Sequence, residues 1–319
     1  MSVTIETIRE AMGRIAPYIV RTPLLRMPML DEFLGCRVYV KAECMQITGA
    51  FKLRGAMNKL LSLSREELDK GIIAVSSGNH GRGVAYGAKM LGAKAVIVIP
   101  RTAPALKVEN IRALGAEIVF CDAAERFEVA ERIRAERGMT MVLPFNDEAI
   151  MAGQGTAGIE IAEQAPELDM TVVPVSGGGL LGGVSTAIKA MAPGMKVFGA
   201  EPDALPRYSA SLAAGHPVKV ERHTSIADAL VADTPGSICF PQVRDHADGV
   251  VPVKDEYLLK GMKILLTEGK ILAEPASCIG LGAVLEGKLP VTKDMKVCFL
   301  LSGGSVGLEQ LDILKEVTI

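Results

Sequence analysis

One lysine of this sequence is placed where its amine could act as a nucleophile. The segment from Ile47 to Ala56 reads ITGAFKLRGA, so Lys52 lies between a glycine turn and a predicted helix, with small and apolar neighbours. Loss of water around an ammonium group lowers its pKa and frees the amine for Schiff-base chemistry. Most lysines are solvated surface residues, so this segment by itself is weak evidence for a catalytic lysine and needs support from other segments of the chain.

A glycine-rich turn supplies a second chemical feature. The residues Ser176–Leu180 read SGGGL, between a predicted strand and a helix predicted from about Leu181. Successive backbone N–H groups at the start of a helix form a site for a phosphate group. A tight turn that serves only packing is the alternative interpretation.

The same turn also fits a dinucleotide-binding pattern. Gly177, Gly179 and Gly182 give GxGxxG after a predicted strand, and Glu201 lies further along, where such sites carry an acidic residue. A nicotinamide-dependent dehydrogenase is therefore a rival interpretation of the loop. It does not account for the segment around Lys52.

The elements that must position these residues alternate between strand and helix. Apolar runs without two-residue alternation suit parallel strands covered on both faces, which predicts an α/β fold. Three strands, ending at Val75, Val175 and Leu301, run into glycine-rich turns, and such turns form a ligand cleft in open α/β sheets. The stretch Arg65–Lys70 is interpreted as a charged surface turn at a boundary or as a solvated helix end. The predicted strands are Val38–Val40, Ile72–Val75, Ala95–Ile99, Ile118–Phe120, Met139–Val142, Thr171–Val175, Val197–Ala200, Val250–Val253 and Val297–Leu301.

Composition narrows the class of protein. The 319 residues are 49% hydrophobic with a net charge of −2, which excludes a disordered chain and makes nucleic acid and membranes poor partners. Small molecules are the expected ligands. The six cysteines show neither a CxxC pair nor metal-ligand spacing, so reduced thiols and no metal site are predicted. The absence of a signal-like start and of an apolar run near the ~20 residues of a membrane span predicts a cytoplasmic protein.

Several segments together resemble the fold type II pyridoxal-phosphate enzymes, and within them the threonine/serine dehydratase (threonine ammonia-lyase) and serine racemase branch. The segments are TGAFKLRGA around Lys52, SSGNHG around Asn79, AGQGT at Ala152–Thr156, SGGGL at Ser176–Leu180 and LSGG at Leu301–Gly304. They occur in family order over nearly the whole chain. His80, where related cysteine and threonine synthases usually carry threonine, indicates the dehydratase and racemase branch.

The resemblance implies a fold like the tryptophan synthase β subunit, with two open, twisted, mostly parallel sheets flanked by helices. A large cofactor-binding domain is expected over residues 1–62 and 147–319, and a small mobile domain over 63–146. The resemblance also implies a homodimer or homotetramer. The chain ends soon after Ser302, so the extra C-terminal regulatory domain of biosynthetic threonine dehydratases is expected to be absent.

The resemblance further assigns roles to individual residues. Lys52 is implied to bind the aldehyde of pyridoxal 5'-phosphate and to remove the substrate α-proton, and Ser77 is implied as a second base on the opposite face. Glu274 is implied to orient Lys52 or a water, or to be a buried structural carboxylate. The other implied contacts are Gly177, Gly178, Gly179 and Leu180 to the phosphate, Asn79 to the phenolic oxygen, Phe51 to the ring face, Ser302 to the ring nitrogen, and Ser77, Asn79 and His80 to the substrate carboxylate.

The function that follows is β-elimination from L-threonine, L-serine or a related β-hydroxy amino acid, which yields a 2-oxo acid and ammonia. A neutral hydroxyl at the ring nitrogen, from Ser302, suits rapid loss of a β-leaving group. Three alternatives stay open: a serine racemase on the same cofactor, the nicotinamide-dependent dehydrogenase, and a non-catalytic metabolite-binding protein of the same fold.

Some residues depart from the family pattern. Relatives bind a divalent cation in a segment resembling EPxxADD, whereas this chain reads EPDALPR from Glu201 to Arg207, and we expect the guanidinium to replace the cation. Asp233 is expected to disfavour substrates with an acidic β-substituent. The remaining departures are Arg82 after SGNHG, Ser305 after SGG, Arg126, interpreted mainly as an exposed helix charge, and the dehydratase-like step Pro144-Phe145.

Overall fold

The structure is a computed structural model that describes residues 3–319. Its strands are β1 Leu24–Arg26, β2 Arg37–Ala42, β3 Ile72–Val75, β4 Ala95–Pro100, β5 Glu117–Cys121, β6 Thr140–Met141, β7 Met170–Pro174, β8 Lys196–Pro202, β9 Gly249–Val253 and β10 Lys296–Leu301. Its α-helices are α1 Ile5–Ile15, α2 Asp31–Leu34, α3 Lys52–Leu61, α4 Arg65–Lys70, α5 Asn79–Met90, α6 Ala105–Arg112, α7 Arg126–Arg137, α8 Glu148–Gln164, α9 Gly179–Met191, α10 Arg207–Ala214, α11 Cys239–His246, α12 Asp255–Thr267 and α13 Ile279–Leu285. Short 3₁₀ segments cover Ala16–Tyr18, Pro28–Leu30, Glu43–Met45, Pro275–Cys278 and Leu308–Glu316.

Two separate sheets organise these elements. The six-stranded sheet has the order β1-β2-β10-β7-β8-β9, and the four-stranded sheet has the order β5-β4-β3-β6. All neighbouring strands are parallel except the pair β1 and β2. The predicted α/β class with two mostly parallel sheets flanked by helices is confirmed.

The predicted strands match the observed ones closely, most clearly in β3, β4, β7 and β10, where the apolar runs are buried on both faces. Every residue of β7, for example, is buried, as parallel strands between helix layers require. The strand β1 was not predicted. It has only three residues, at the edge of the sheet, so it carries too little periodicity to detect.

The charged stretch Arg65–Lys70 forms the helix α4 rather than a turn. The Ser64 hydroxyl accepts a hydrogen bond from the Glu67 N–H at 3.2 Å, and the Glu67 carboxylate accepts one from the Ser64 N–H at 2.7 Å. This reciprocal capping satisfies N–H groups that the first turn of a helix leaves free. Local capping therefore makes a short, highly charged segment helical.

The helix α8 approaches two neighbouring helices through glycines. A Cβ atom on Gly55 of α3 would lie 2.8 Å from the Ile150 carbonyl oxygen, and one on Gly183 of α9 would lie 2.5 Å from the Met151 carbonyl oxygen. A Cβ atom on Gly155 would in turn lie 2.9 Å from the Gly183 oxygen. The AGQGT segment thus has a packing role, because any side chain at these contacts would force the helices apart.

Within residues 3–319, no helix combines the length and the apolar character needed to cross a membrane.

The glycine contacts give a stability prediction. Replacing Gly183 with Ala should lower the free energy of unfolding by about 1–3 kcal/mol, because the added methyl group meets backbone atoms that cannot rotate away. Urea titration measures the change. Gly13→Ala is the matched control, since Gly13 lies in α1 with open space around it, and Ala there should stabilise the protein by about 0.5–1 kcal/mol. Equal behaviour of the two variants would contradict the packing role.

Candidate active site

The Lys52 segment is attached to the carboxyl end of the central strand β10. The Phe51 N–H donates to the Ser302 carbonyl oxygen at 3.0 Å, and Ala50 forms an isolated antiparallel bridge with Gly303. The helix α3 then begins at Lys52 itself. Two of the segments identified in the sequence, TGAFKLRGA and LSGG, are therefore in direct backbone contact.

The Lys52 side chain is half-buried and held by one carbonyl group. Its Nζ atom donates to the Pro144 carbonyl oxygen at 2.7 Å and lies 5.0 Å from the centroid of the Phe51 ring. Loss of solvent around the ammonium lowers the pKa of Lys52 to about 8, although the nearby Cys239 and Glu274 act in the opposite direction. About a tenth of the amine is therefore free at pH 7, far more than for an ordinary lysine, and the free amine is the form that a nucleophile or base requires.

The glycine loop is built so that only glycine fits. The Gly178 backbone has a φ of +99°, and a Cβ atom there would overlap the Tyr208 hydroxyl group. A Cβ atom on Gly177 would enter the Phe145 ring, and one on Gly179 would lie 2.5 Å from the Gln154 Oε1 atom. The helix α9 begins at Gly179, so its first N–H groups have no intrahelical partner. The loop therefore presents backbone N–H groups without side chains in the way, which is what a phosphate site requires.

Arg207 and Tyr208 support this loop from behind. The Tyr208 hydroxyl donates to the Gly177 carbonyl oxygen at 3.2 Å, while the Arg207 guanidinium donates to the carbonyl oxygens of Val175 at 3.1 Å and Leu230 at 3.0 Å. Arg207 is fully buried, and burial lowers the pKa of its guanidinium to about 10. A buried cation is thus bonded to the strand end that precedes the glycine loop.

Glu201 does not face a ligand. Its two carboxylate oxygens accept hydrogen bonds from the N–H groups of Tyr208 at 2.8 Å and Ser209 at 2.7 Å, which caps the start of α10. It is completely buried, so it is not available to a nucleotide ribose. The pairing of Glu201 with GxGxxG that suggested a dehydrogenase is therefore not a dinucleotide site.

Asn79, Glu274 and Ser305 form a connected cluster. The Asn79 Nδ2 atom donates to both Glu274 oxygens, at 2.8 and 3.1 Å, and the Ser305 hydroxyl donates to Asn79 Oδ1 at 2.5 Å. Glu274 is buried, and desolvation raises its pKa to about 7 despite the hydrogen bond from Asn79. The structure therefore pairs Glu274 with Asn79 rather than hydrogen-bonding it to Lys52.

His80 is buried with its side chain turned into the protein. Its Nε2 atom lies 2.9 Å from the Val142 carbonyl oxygen, which requires the proton on Nε2. Burial, together with the charge of Lys52, lowers the pKa of His80 to about 3, so the imidazole is neutral. Its Nδ1 is then an acceptor only. The part of His80 that can bind a carboxylate is its backbone N–H, in the first turn of α5.

Ser77 and Ser302 end strands of different sheets. Ser77 is half-buried in the loop between β3 and α5, and Ser302 is buried directly after β10. The Ser302 and Ser277 hydroxyl oxygens are 3.1 Å apart. Ser277 also donates to the Gly303 carbonyl oxygen at 2.7 Å, so Ser302 is the donor in their contact and its proton can turn to another acceptor.

Asp233 is already balanced by basic residues. Its carboxylate lies 2.9 Å from the Arg222 Nε atom and 3.9 Å from the Lys219 Nζ atom. Together with Arg126 and Phe127 these residues line a cavity of about 500 Å³. The expectation that Asp233 disfavours substrates with an acidic β-substituent stays a prediction, and the pairing with Arg222 reduces the charge that this carboxylate presents to the cavity.

The residues that the sequence did not assign to the site are Pro144, Gln154, Tyr208 and Cys239. Gln154 lies within the AGQGT segment, its Nε2 atom donates to the Pro144 oxygen at 3.3 Å, and its Oε1 atom is buried without a partner among residues 3–319. The motif was the available signal for Gln154. The Pro144 carbonyl and the Tyr208 hydroxyl contact residues that are far away in the sequence, so no local sequence pattern indicates their roles.

Comparison with known proteins identifies this architecture. A family model described as "Pyridoxal-phosphate dependent enzyme" matches residues 15–303. The chain is 41% identical over 312 residues to the L-threonine ammonia-lyase of Thermotoga maritima, covering 97% of this chain and 77% of that protein. It is 40% identical over 310 residues to a serine racemase of Oryza sativa subsp. indica, covering 95% and 91%. The structure of maize serine racemase superposes with a TM-score of 0.93 at 40% identity, covering 98% and 97% of the two chains.

The lowered pKa of Lys52 can be measured chemically. Treatment of the cofactor-free protein with a small aldehyde and borohydride should label Lys52 half-maximally near pH 8, because its amine becomes free as the pH rises through its pKa of about 8. A lysine model peptide, with a pKa of about 10.4, serves as the control. Labelling at each pH is quantified by mass spectrometry of the Lys52 peptide. Equal midpoints for protein and peptide would contradict the effect of burial.

Arg207 leads to a prediction about metal ions. Activity and melting temperature should not change on treatment with a chelator. Hard cations bind backbone carbonyl oxygens, and here the buried Arg207 guanidinium already supplies a positive charge to two such oxygens. Ammonia release before and after dialysis against the chelator tests this. Complete loss of activity that magnesium restores would contradict it.

Proposed function

The chain belongs to the pyridoxal-phosphate-dependent enzymes, and we propose that it is an ammonia-lyase of the threonine/serine dehydratase type. Its substrate is L-threonine, L-serine or a related β-hydroxy amino acid, and its products are a 2-oxo acid and ammonia. The observation that carries this proposal is a Lys52 amine of lowered pKa whose neighbour Phe51 is hydrogen-bonded to Ser302 at the end of β10. The acceptor of the Lys52 amine, the Pro144 carbonyl oxygen, also accepts from Gln154, which packs against Gly179 of the glycine loop.

The residues present fit pyridoxal 5'-phosphate. The free N–H groups of the loop Gly177–Leu180 suit its phosphate, the Lys52 amine suits its aldehyde, and the movable Ser302 proton suits its ring nitrogen. Phe51 and Asn79 are assigned to the ring face and the phenolic oxygen. When bound, the cofactor withdraws electrons from the substrate Cα, which acidifies the Cα–H bond. The dehydrogenase alternative is excluded by family membership and by the capped Glu201.

The chain's own groups then supply binding and proton transfer. The N–H groups at the start of α5, with the side chains of Ser77 and Asn79, hold the substrate carboxylate, and His80 contributes through its backbone. Lys52 Nζ removes the Cα proton, since its pKa of about 8 provides free amine near neutral pH. The Pro144 carbonyl keeps that nitrogen in position by accepting its hydrogen bond. The β-hydroxyl group takes up a proton and leaves as water, which produces an enamine, and addition of water to that enamine gives the 2-oxo acid and ammonia.

Serine racemisation is the second candidate function. Lys52 is attached to the six-stranded sheet, whereas Ser77 belongs to a loop of the four-stranded sheet, and we propose that they act as bases on opposite faces of the cofactor. Racemisation needs one base to remove the Cα proton and another to return it on the opposite face. The similarity to serine racemases supports this candidate.

The setting of the enzyme is part of the proposal. We assign residues 1–62 and 147–319 to a large domain and residues 63–146, which contain the four-stranded sheet, to a small domain that closes over substrate. The ion pair of Lys107 in α6 with Asp228, at 2.6 Å, is one contact between the two domains.

We also propose that the protein forms a homodimer or homotetramer in the cytoplasm, where all six cysteines stay reduced.

One set of assays tests the function. The purified protein should show a violet absorption band that borohydride bleaches, and should release ammonia and a 2-oxo acid from L-threonine or L-serine. Lys52→Ala should lose the band and about 10²–10⁴-fold in rate, because a positioned base contributes about that much. Lys70→Ala, at a half-exposed lysine of α4, is the matched control and should behave like the parent.

The outcomes separate the candidates. A colourless protein that binds a nicotinamide nucleotide tightly would contradict the proposal. D-serine formation from L-serine that Ser77→Ala abolishes, with ammonia release at saturating L-serine retained, would establish racemisation as a second activity of the site.

A further inference from the structure

The amide of Asn79 is held between two groups of opposite hydrogen-bonding character. Glu274 offers two carboxylate oxygens, at 2.8 and 3.1 Å from Asn79 Nδ2, and Ser305 offers a hydroxyl proton to Asn79 Oδ1. An ionised carboxylate only accepts hydrogen bonds. The Nδ2 edge must therefore face Glu274, which fixes one of the two possible orientations of the amide. Ser305 then completes the fixed orientation from the oxygen side.

Glu274 is itself fixed by the backbone. Its Oε2 atom accepts a hydrogen bond from the Ser305 N–H at 3.2 Å, and its own N–H donates to the Gly303 carbonyl oxygen at 3.1 Å. A Cβ atom on Gly303 would lie 2.7 Å from Glu274 Oε1 and 2.9 Å from Asn79 Nδ2. The cluster therefore packs directly on the residue that follows Ser302, at the end of β10.

The cluster also spans the two sheets. Asn79 begins α5, which follows β3 of the four-stranded sheet, whereas Glu274 and Ser305 flank the end of β10 in the six-stranded sheet. Asn79 and Ser305 are half-buried at the edge of the site, and Glu274 is buried behind them. Because the three residues come from both sheets, the relative position of the two sheets sets the position of the Asn79 side chain.

We propose that Glu274 and Ser305 are positioning residues that clamp the Asn79 carboxamide in one orientation, so that a fixed edge of the amide meets the bound cofactor. The proposal rests on the proposed function and deepens it. One N–H of Asn79 suffices for both Glu274 oxygens, which leaves the second N–H for the cofactor. A protonated Glu274 would carry an O–H donor of its own, and the carboxyl group would no longer discriminate between the two amide orientations.

The charge state of Glu274 is set by its surroundings. Burial raises the pKa of Glu274 to about 7, and the hydrogen bond from Asn79 counteracts that effect. The clamp is therefore complete above this pH and is weakened as the pH falls through 7. The other titratable and charged groups that face it are Asp228, Lys107, Lys52, Cys44 and Cys278, and α5 adds Arg82 one turn after Asn79.

The test uses the holoenzyme and reads the cofactor directly. The visible absorption band of the parent should change between pH 6 and 8 with a midpoint near 7, and Glu274→Gln, which cannot titrate, should abolish that change. Ser305→Ala should weaken cofactor binding, measured by equilibrium dialysis with pyridoxal 5'-phosphate, by roughly fivefold, the effect of one ordinary hydrogen bond. Ser305→Thr should restore it because it retains the hydroxyl.

Ser185→Ala is the matched control, since the hydroxyl of this buried serine bonds to the Gly182 carbonyl within α9 and takes no part in the clamp. Its spectrum should follow that of the parent at every pH. If the bands of Ser305→Ala and Glu274→Gln follow the parent across this pH range and their cofactor affinities are unchanged, the clamp is overturned while the proposed function stands. A parent protein without any cofactor band would overturn both. Circular dichroism of each variant verifies the fold, and Ser305→Thr and Glu274→Gln carry the test if Ser305→Ala unfolds.

Discussion

A buried network of four charges is the constraint on which the rest of this structure depends. Arg54 binds Glu43 at 2.7 and 2.8 Å and Glu160 at 2.7 and 2.9 Å, and Lys41 binds Glu160 at 2.6 Å, with all four side chains shielded from solvent. Two positive charges balance two negative ones. Loss of one member would leave a buried charge unpaired, which costs about 3–5 kcal/mol in comparable cases. Because the network joins β2, α3 and α8, it fixes the first turn of α3 and with it Lys52.

Close packing of backbones places the residues of the candidate site around this anchored helix. The glycines of α3, α8 and α9 bring three helices together, and the same tight packing places Gln154 of α8 against Gly179 of the glycine loop. Tyr208 and Phe145 fill the space behind that loop where side chains on Gly177 and Gly178 would otherwise lie. Glycine therefore serves packing in the helices and exposes N–H groups in the loop, for the same steric reason.

Burial adjusts the site's ionisable groups in opposite directions. Desolvation disfavours any charged form, so it lowers the pKa of Lys52 to about 8 and of His80 to about 3 and raises that of Glu274 to about 7. The result is an amine that is partly free, an imidazole that stays neutral and a carboxyl group that titrates near neutrality. One physical cause thus suits Lys52 to its proposed role as a base, keeps His80 a neutral hydrogen-bond donor to Val142, and makes Glu274 of the proposed clamp sensitive to pH.

The sequence by itself determined the α/β class, the predicted strands and the family, because apolar periodicity and the motifs around Lys52, Asn79 and Ser176–Leu180 are local. It also indicated Gly177–Leu180 as a candidate phosphate loop, since a glycine run directly before a helix leaves backbone N–H groups accessible. Only the tertiary structure decided what distant side chains do there. It placed the Pro144 carbonyl on Lys52, turned the His80 imidazole inward, and paired Glu274 with Asn79 and Asp233 with Arg222. Those outcomes depend on burial and on partners far apart in the chain, which set pKa values and hydrogen-bond direction and leave no periodic trace in the sequence.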